Sequence, residues 1–250
     1  MPAIQYHAET LSLAGWKALS PAAVDRRVSA IESAIGHQLP ASLRELMATE
    51  CWPGFLEQFS NCDRPIAVED LLRSRWPSYD AIGNRVLPFM IENQGVCTWA
   101  VALDTGDDPE VLVEVDSGNP PTWRHAAETF SLWLRTQVLD HQLLERALFA
   151  AQAEPLSAAA LAGLEAAFDQ GPRTFGWPGE TVYRFHSSLG FLLLWAGIDQ
   201  CDWWIAPTTV DTATALLDAL PLASGVGGRL YELKPVAKAL LHEWRRLAEL

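Results

Sequence analysis

The residues of this sequence that could do chemistry are scattered and form no known catalytic motif. None of the six histidines forms an H-E-x-x-H pair or pairs with a cysteine at zinc-finger spacing. His141 and Glu145 share a helix face at i, i+4, which is more typical of a surface charge pair than of a metal or acid–base site. The sequence has no G-x-S-x-G motif, and residues 225–228 lack the strand and lysine of a phosphate-binding loop. We therefore predict no catalytic residues, no metal and no cofactor.

The strongest chemical signal is an acidic segment between residues 104 and 116. Pro109 lies at the sixth position, where an EF-hand requires glycine, so a calcium loop of that kind is excluded. Two interpretations stay open: a solvated turn between strands, or an electrostatic surface for a basic partner. On the second, Asp107→Lys with Asp108→Lys should slow association and leave folding largely unchanged. The segment contains six carboxylates and no base: Asp104, Asp107, Asp108, Glu110, Glu114 and Asp116.

Tryptophan is the second candidate for partner binding, because it is enriched among interface hot spots. The chain has 11 tryptophans. Most lie on predicted apolar faces and are expected in the core, among them Trp99, Trp133, Trp195 and Trp244. Four others adjoin proline or a predicted loop: Trp52, Trp76, Trp123 and Trp177. We predict that Trp52 and Trp123 join the six carboxylates in a partner-binding surface. If the segment of Trp203 and Trp204 is a strand, the two point to opposite faces, which would allow one of them to be exposed.

Composition limits the class of partner. The net charge is −13 and the sequence pI is about 4.8, which argues against binding to nucleic acid or to an anionic membrane. The longest apolar run, residues 189–198, has about half the ~20 residues that a transmembrane helix needs. No secretory signal is visible at the N-terminus. We predict a cytoplasmic protein with reduced cysteines, two of which, Cys97 and Cys201, lie in apolar stretches.

Periodicity predicts an α+β chain. The spacing of Val24, Val28, Ile31 and Ile35 predicts a helix that ends at Gly36. A second short helix follows Leu39–Pro40, and residues 50–65 are predicted to be mainly irregular. Further on, the pattern indicates a hairpin of residues 86–91 and 96–103, a half-exposed strand at 110–115, and a long helix from about Ala126 to Ala150.

The last hundred residues form a second block. The patterns predict helices at 157–168, 212–220 and 234–250, and strands at 181–186, 189–196 and 201–206. We therefore divide the chain into a domain of residues 1–150 and a helical and β extension of residues 151–250. The spacing Phe89…Gly95…Trp99 is similar to Phe185…Gly190…Trp195, which would fit a degenerate repeat.

Residues 24–145 resemble the SUKH superfamily, a group of bacterial immunity proteins and fungal cell-wall regulators. The first similar segment is Ile31–Met47, an amphipathic helix followed by Gly36, Leu39–Pro40 and a second helix. The second is Leu87-Pro88-Phe89 with Gly95 and the strand that contains Trp99. The third is Ala127–Leu134, which is similar to the closing helix of the family. The three segments occur in the family order.

The resemblance implies a central, mostly antiparallel sheet flanked by helices and a role without catalysis. It implies an immunity protein that binds and neutralises the toxin domain of a polymorphic or contact-dependent bacterial toxin. Such toxins are often nucleases or deaminases with basic clefts, and an acidic protein would be steered to them. Two other functions stay open: a cytoplasmic regulatory or scaffold protein of the same fold, and a small-molecule hydrolase with a deep polar pocket.

Overall fold

A computed structural model describes residues 4–16, 26, 28–33, 36–47, 52–60, 63–66, 86–103, 105–116, 122–145, 147–176, 180–220 and 230–232. Helices and antiparallel sheets are both present, which confirms the predicted α+β class. The chain forms two compact units, Met1–Val138 and Leu139–Leu250. The division lies before the predicted boundary at residue 150, and the roles predicted for the two parts stay predictions.

The first unit is built on a five-stranded antiparallel sheet with the order β1-β2-β3-β4-β5. Residues 28–33 are also helical. The helices are α1 (Ala8–Ala14), α2 (Ala41–Met47), α3 (Trp52–Gln58) and α4 (Phe130–Leu144), which continues into the second unit. The strands are β1 (Arg64–Pro65), β2 (Val86–Ile91), β3 (Thr98–Ala102), β4 (Val111–Asp116) and β5 (Thr122–Ala127).

The predicted hairpin is confirmed as β2 and β3, and β3 is the central strand of the sheet. Because a central strand is covered on both faces, Ala100 and Val101 are both fully buried although they point to opposite sides. The predicted alternation of β4 is confirmed at Val111 and Val113, which are fully buried. The sheet therefore provides a rigid base for the acidic segment that joins β3 to β4.

Helical residues cover the sheet with a continuous apolar core. Ile31, from the predicted stripe, is fully buried, and so are Leu46 of α2 and Phe130 of α4. Gly36 has φ 70°, and its N–H donates to the Glu32 carbonyl at 2.9 Å, which confirms it as the residue that ends this helix. Burial of these side chains fixes the positions of α2 and α4 beside the acidic segment.

The second unit contains a seven-stranded sheet with the order β12-β6-β11-β10-β9-β7, and β8 also pairs with β9. The three predicted strands are confirmed as β9 (Thr181–Ser187), β10 (Gly190–Ala196) and β11 (Cys201–Pro207). The other strands are β6 (Leu148–Gln152), β7 (Asp169–Gln170), β8 (Thr174–Phe175) and β12 (Leu230–Glu232). The helices that begin in this unit are α5 (Ala158–Ala167) and α6 (Val210–Asp218).

The predicted helix Ala126–Ala150 is wrong at both ends. Its first residues, Ala126 and Ala127, complete β5, and its last residues belong to β6, which pairs with β11. Ala, Leu and Gln favour helices, but Leu148, Ala150 and Gln152 are buried in alternation, as in a strand. Pairing with the sheet therefore overrides local helix propensity here.

Two further expectations are corrected. Residues 50–65, predicted to be mainly irregular, contain α3, because burial of Phe55 and Leu56 in the core stabilises a short helix there. Trp203 and Trp204 lie on a strand, but both are buried, so the possibility that one of them is exposed does not hold. Both faces of the second sheet are covered at this point. The predicted helix at 234–250 and the residues Trp76, Trp177 and Trp244 lie outside the described part of the chain.

Candidate functional site

We use the name acidic turn for residues 105–110, which join β3 to β4. The backbone carbonyl of Asp107 accepts a hydrogen bond from the Ser42 N–H at 2.9 Å, at the start of α2. This bond anchors the turn to the helix, while the side chain of Asp107 is exposed. Asp107 therefore presents a carboxylate to solvent from a backbone that is held in place.

Asp108 has a different role, because both of its carboxylate oxygens bind Ser131. Oδ1 accepts from the Ser131 backbone N–H at 3.0 Å, and Oδ2 accepts from the Ser131 hydroxyl at 2.5 Å. Thr129 completes the cap by accepting from the Leu132 N–H at 3.2 Å. Together they satisfy free N–H groups at the start of α4. The sequence predicts that the double variant Asp107→Lys with Asp108→Lys leaves folding largely unchanged; since the Asp108 carboxylate caps a helix, we expect its replacement to lower stability instead.

Glu110 lies at the end of the acidic turn and forms an ion pair across the sheet. Its Oε2 is 3.0 Å from Nδ1 of His125 on β5, and both side chains are about two-fifths exposed, at 42% and 40%. Water screens such a pair, so it contributes little to stability. Glu110 is thus accessible at the surface, with the imidazole of His125 as its neighbour.

Glu114 and Trp123 are brought together by the pairing of β4 and β5. They are directly opposite one another in the register and are both partly exposed. Direct cross-strand partners lie on the same face of a sheet, with their Cβ atoms about 5 Å apart. The indole N–H of Trp123 is buried, and no residue in the described part of the chain accepts a hydrogen bond from it. Two of the predicted partner-binding side chains therefore form a neighbouring carboxylate and indole.

The other predicted site residues are not placed by the structure. Asp104 lies outside the described residues, and so do the side chains of Trp52 and Asp116. Of the remaining five, Asp107, Glu110, Glu114 and Trp123 are accessible to some degree, whereas Asp108 is engaged in capping α4.

The N-terminal segment adds residues that the sequence did not single out. The Glu45 carboxylate on α2 accepts hydrogen bonds from the backbone N–H groups of Gln5, Tyr6 and His7 at 2.7, 2.9 and 2.6 Å. Loss of hydration raises the pKa of Tyr6, and the nearby carboxylates of Asp107, Asp108 and Glu45 raise it further. The segment lies close to the acidic turn, because His7 Nε2 bonds to the Ser42 carbonyl and the Ser42 N–H donates to the Asp107 carbonyl. No local pattern predicts the hydrogen bonds between this segment and Glu45, because the residues that they join are about forty positions apart.

His7 is fully buried beside this segment. Its Nε2 lies 2.8 Å from the Ser42 carbonyl oxygen, and its ring meets Phe130 edge-on at a centroid distance of 5.7 Å. Burial lowers the pKa of His7, against the opposing effects of the Ser42 carbonyl, Glu45 and Asp108. Among the residues that the structure describes, none forms a hydrogen bond with its Nδ1. Because a carbonyl can only accept, Nε2 carries the proton, and the neutral ring acts as a packed structural group.

Metal-binding and reactive groups are sparse among the residues that the structure describes. No three His, Cys, Asp or Glu side chains in that part of the chain are grouped closely enough to hold a metal ion. Nε2 of His141 is 3.8 Å from Oε1 of Glu145, as expected for a surface pair. Cys97 and Cys201 are buried free thiols. None of the described helices combines the length and apolarity that crossing a membrane requires.

No protein-family model, no curated protein and no solved structure matches this chain. The resemblance to the SUKH superfamily therefore rests on the sequence segments named above.

Proposed function

We propose that the protein is an immunity protein of a bacterial toxin system that binds a toxin domain one to one and blocks its active site without catalysis. The partner surface in this proposal comprises the exposed Asp107 of the acidic turn and the Glu114–Trp123 pair on β4 and β5. The toxin domain is a basic protein, such as a nuclease or a deaminase. The bacterial origin and the cytoplasmic location are part of the same proposal.

The observation that carries the proposal is the exposed carboxylate of Asp107 on an anchored turn, in a chain of net charge −13. A charged group on a rigid support loses little entropy on binding and attracts a basic partner over a distance of about one Debye length. Trp123 supports the proposal as an aromatic anchor beside a carboxylate, because tryptophan is enriched at the centre of tight interfaces. The sequence resemblance supplies the class of partner.

The proposal predicts that a neighbouring gene encodes a toxin domain, and the decisive experiment is co-expression with that domain. We expect restored growth of the host and a one-to-one complex that elutes as a single species. Association rates measured at increasing salt should fall steeply, since electrostatic steering is screened by ions. Absence of both growth protection and complex formation at low salt would refute the proposal. Capture of a resident host protein in place of the toxin would instead support a regulatory or scaffold role.

The surface itself is tested with a charge-matched pair of variants. Asp107→Lys with Glu114→Lys should slow association about tenfold at low salt. Glu154→Lys with Glu165→Lys changes the net charge by the same amount at exposed positions of the second unit, and it should slow association much less. Equal effects of the two variants would show that net charge, and not this surface, determines the rate.

A further inference from the structure

One face of the second sheet carries a group of aromatic and acidic side chains near the turn between β10 and β11. Trp195 on β10 is directly opposite Asp202 on β11. In the next row, Trp204 on β11 is directly opposite Phe149 on β6. Cross-strand partners lie on the same face, and positions two apart along a strand share it as well. These four side chains therefore lie on one face of the sheet.

The aromatic rings of this face are in contact. The ring centroids of Trp195 and Trp204 are 4.4 Å apart, and those of Trp204 and Phe149 are 5.2 Å apart. Trp204 is 7% exposed, whereas Trp195 and Phe149 are only partly buried. Trp204 is thus buried, and the neighbouring ring of Trp195 is packed against it but remains partly accessible to solvent.

Two carboxylates lie beside these rings. Asp202 is the cross-strand neighbour of Trp195, and Glu180 immediately precedes β9. In the strand register, Trp195 lies between Asp202 on β11 and Val182 on β9, and Glu180 is two residues before Val182. The two carboxylates therefore flank Trp195 from opposite sides. Burial raises the pKa of both carboxyl groups, and the charge of Asp202 raises that of Glu180 further. Within the described ranges, no side chain or backbone group forms a hydrogen bond or ion pair with either carboxylate. Two carboxylates that are partly removed from water and pair with no cation of the described residues are favourable for binding one.

We propose that Trp195, Asp202 and Glu180 form a docking site for the arginine side chain of a partner protein. A guanidinium group is flat and weakly hydrated, so it stacks on an indole ring and donates to neighbouring carboxylates at the same time. The acids provide the complementary charge, and the Trp195–Trp204 contact holds the ring in place. Ile198, 78% exposed in the adjoining turn, provides an apolar contact for the surface that carries the arginine.

The proposal does not depend on the function proposed above. All of its residues belong to the second unit, and it concerns the chemistry of the occupant, whether or not the partner is a toxin. It is therefore tested with a probe and without any partner protein. A suitable probe is the peptide acetyl-Gly-Arg-Gly-amide, with the citrulline peptide as a control of nearly the same shape and no charge.

The test is a titration of the ¹⁵N-labelled protein followed through its tryptophan indole N–H signals. Trp195→Phe removes one of the signals of the 11 tryptophans and so assigns it. We expect the arginine peptide to shift the Trp195 signal with a dissociation constant on the order of 1 mM, while the citrulline peptide leaves it in place. A shift of equal size with citrulline, or equal affinity for a lysine peptide, would overturn the assignment to a guanidinium.

Variants test the carboxylates. Asp202→Asn should weaken arginine binding at least about fivefold, and Glu180→Gln should weaken it in the same direction. Asp169→Asn is the matched control, because Asp169 is also an acid of the second sheet but pairs with β9 near its other end, opposite His186. It should change the affinity less than about twofold. If the wild-type Trp195 signal does not move at about 10 mM arginine peptide, the site is already occupied or does not exist, and the proposal fails.

Discussion

Arg184 donates two parallel hydrogen bonds to the Asp140 carboxylate inside the second unit. Nε of Arg184 is 2.7 Å from Oδ1 of Asp140, and Nη2 is 2.5 Å from Oδ2. The remaining nitrogen, Nη1, donates to the Pro172 carbonyl at 2.9 Å and to the Thr174 hydroxyl at 3.0 Å. The ion pair thus connects α4 to β9 and fixes the segment that leads into β8. Two side chains far apart in sequence are therefore held by a fork geometry that lysine cannot reproduce.

Loss of one partner of this pair should be costly. The Arg184 and Asp140 side chains are only 10% and 16% exposed, so Asp140→Ala leaves a buried charge without a counter-ion. We expect the free energy of unfolding to fall by about 3–5 kcal/mol, measured by urea denaturation. Asp140→Leu with Arg184→Met should recover much of that loss. Glu9→Gln, in an exposed pair with Arg135, is the control and should cost no more than about 1 kcal/mol.

Gly190 begins β10 at a position with no room for a side chain. A Cβ atom there would overlap the Ala206 carbonyl oxygen and lie 2.8 Å from both Pro207 Cα and Leu216 Cδ2. Backbone atoms cannot move aside cheaply, so Gly190→Ala should destabilise the protein by at least about 2 kcal/mol. Gly176→Ala, whose Cβ would make an ordinary 3.4 Å contact with Val182, should change stability little. Similar melting temperatures for the two variants would contradict this geometry.

The buried His7 should make stability depend on pH. Burial lowers the pKa of His7 in the folded protein, whereas in the unfolded chain this pKa stays at about 6.5. The unfolded state therefore binds more protons, and the free energy of unfolding should decrease as the pH falls from about 7.5 to about 5. His7→Gln can still donate to the Ser42 carbonyl but does not titrate, so its stability should depend less steeply on pH. A His7→Gln protein whose stability falls with pH as steeply as that of the wild type would contradict this assignment.

Single substitutions of Asp107 and Asp108 should have different effects on stability and on partner binding. Asp108→Ala removes two hydrogen bonds at the start of α4 and should lower stability by about 1 kcal/mol in a thermal melt. Asp107→Ala removes only an exposed carboxylate and should change stability by less than about 0.5 kcal/mol. The rate of association with a basic partner should fall more for Asp107→Ala than for Asp108→Ala. If Asp108→Ala melts like the wild type, the capping role is wrong.

Cys97 and Cys201 should resist thiol reagents in the folded protein. Burial raises the pKa of each thiol to about 12, so almost none of the reactive thiolate is present at neutral pH. Iodoacetamide labelling followed by peptide mass spectrometry should therefore modify both residues only after unfolding in urea. Labelling of either one in the native protein, at a rate typical of an exposed cysteine, would contradict its burial.

Sequence patterns predict this fold best where neighbouring residues decide the structure. Strands β2, β3, β9, β10 and β11 follow from short apolar runs bounded by turn residues. Helix α5 begins at the start of the chain segment predicted for it, where the Ser157 side chain accepts from the Ala160 N–H. Strand β6 is different, because its residues favour a helix when taken alone. Its pairing with β11 and β12, both far along the chain, makes it a strand.

The candidate site shows the same division. Its acidity is visible in the sequence, and so is the alternation that places Glu114 on the outer face of β4. The role of Asp108 is not visible, since its hydrogen bonds reach Ser131 across 23 positions. The contact of His7 with Ser42 across 35 positions is hidden for the same reason. Local periodicity carries no information about such pairs, which depend on how the core packs.

Helix α4 has a practical consequence for anyone who wishes to study the halves of this protein separately. The division between the units falls between Val138 and Leu139, inside this continuous helix. Phe130 and Trp133 contribute to the core of the first unit, and Leu143 and Leu144 pack against one of the two cores of the second. A protease that cleaves at surface loops will find no exposed linker at that point, and a gene truncated there will encode a fragment with half a helix. Either half would have to retain the entire segment Phe130–Leu144 to be expressed intact.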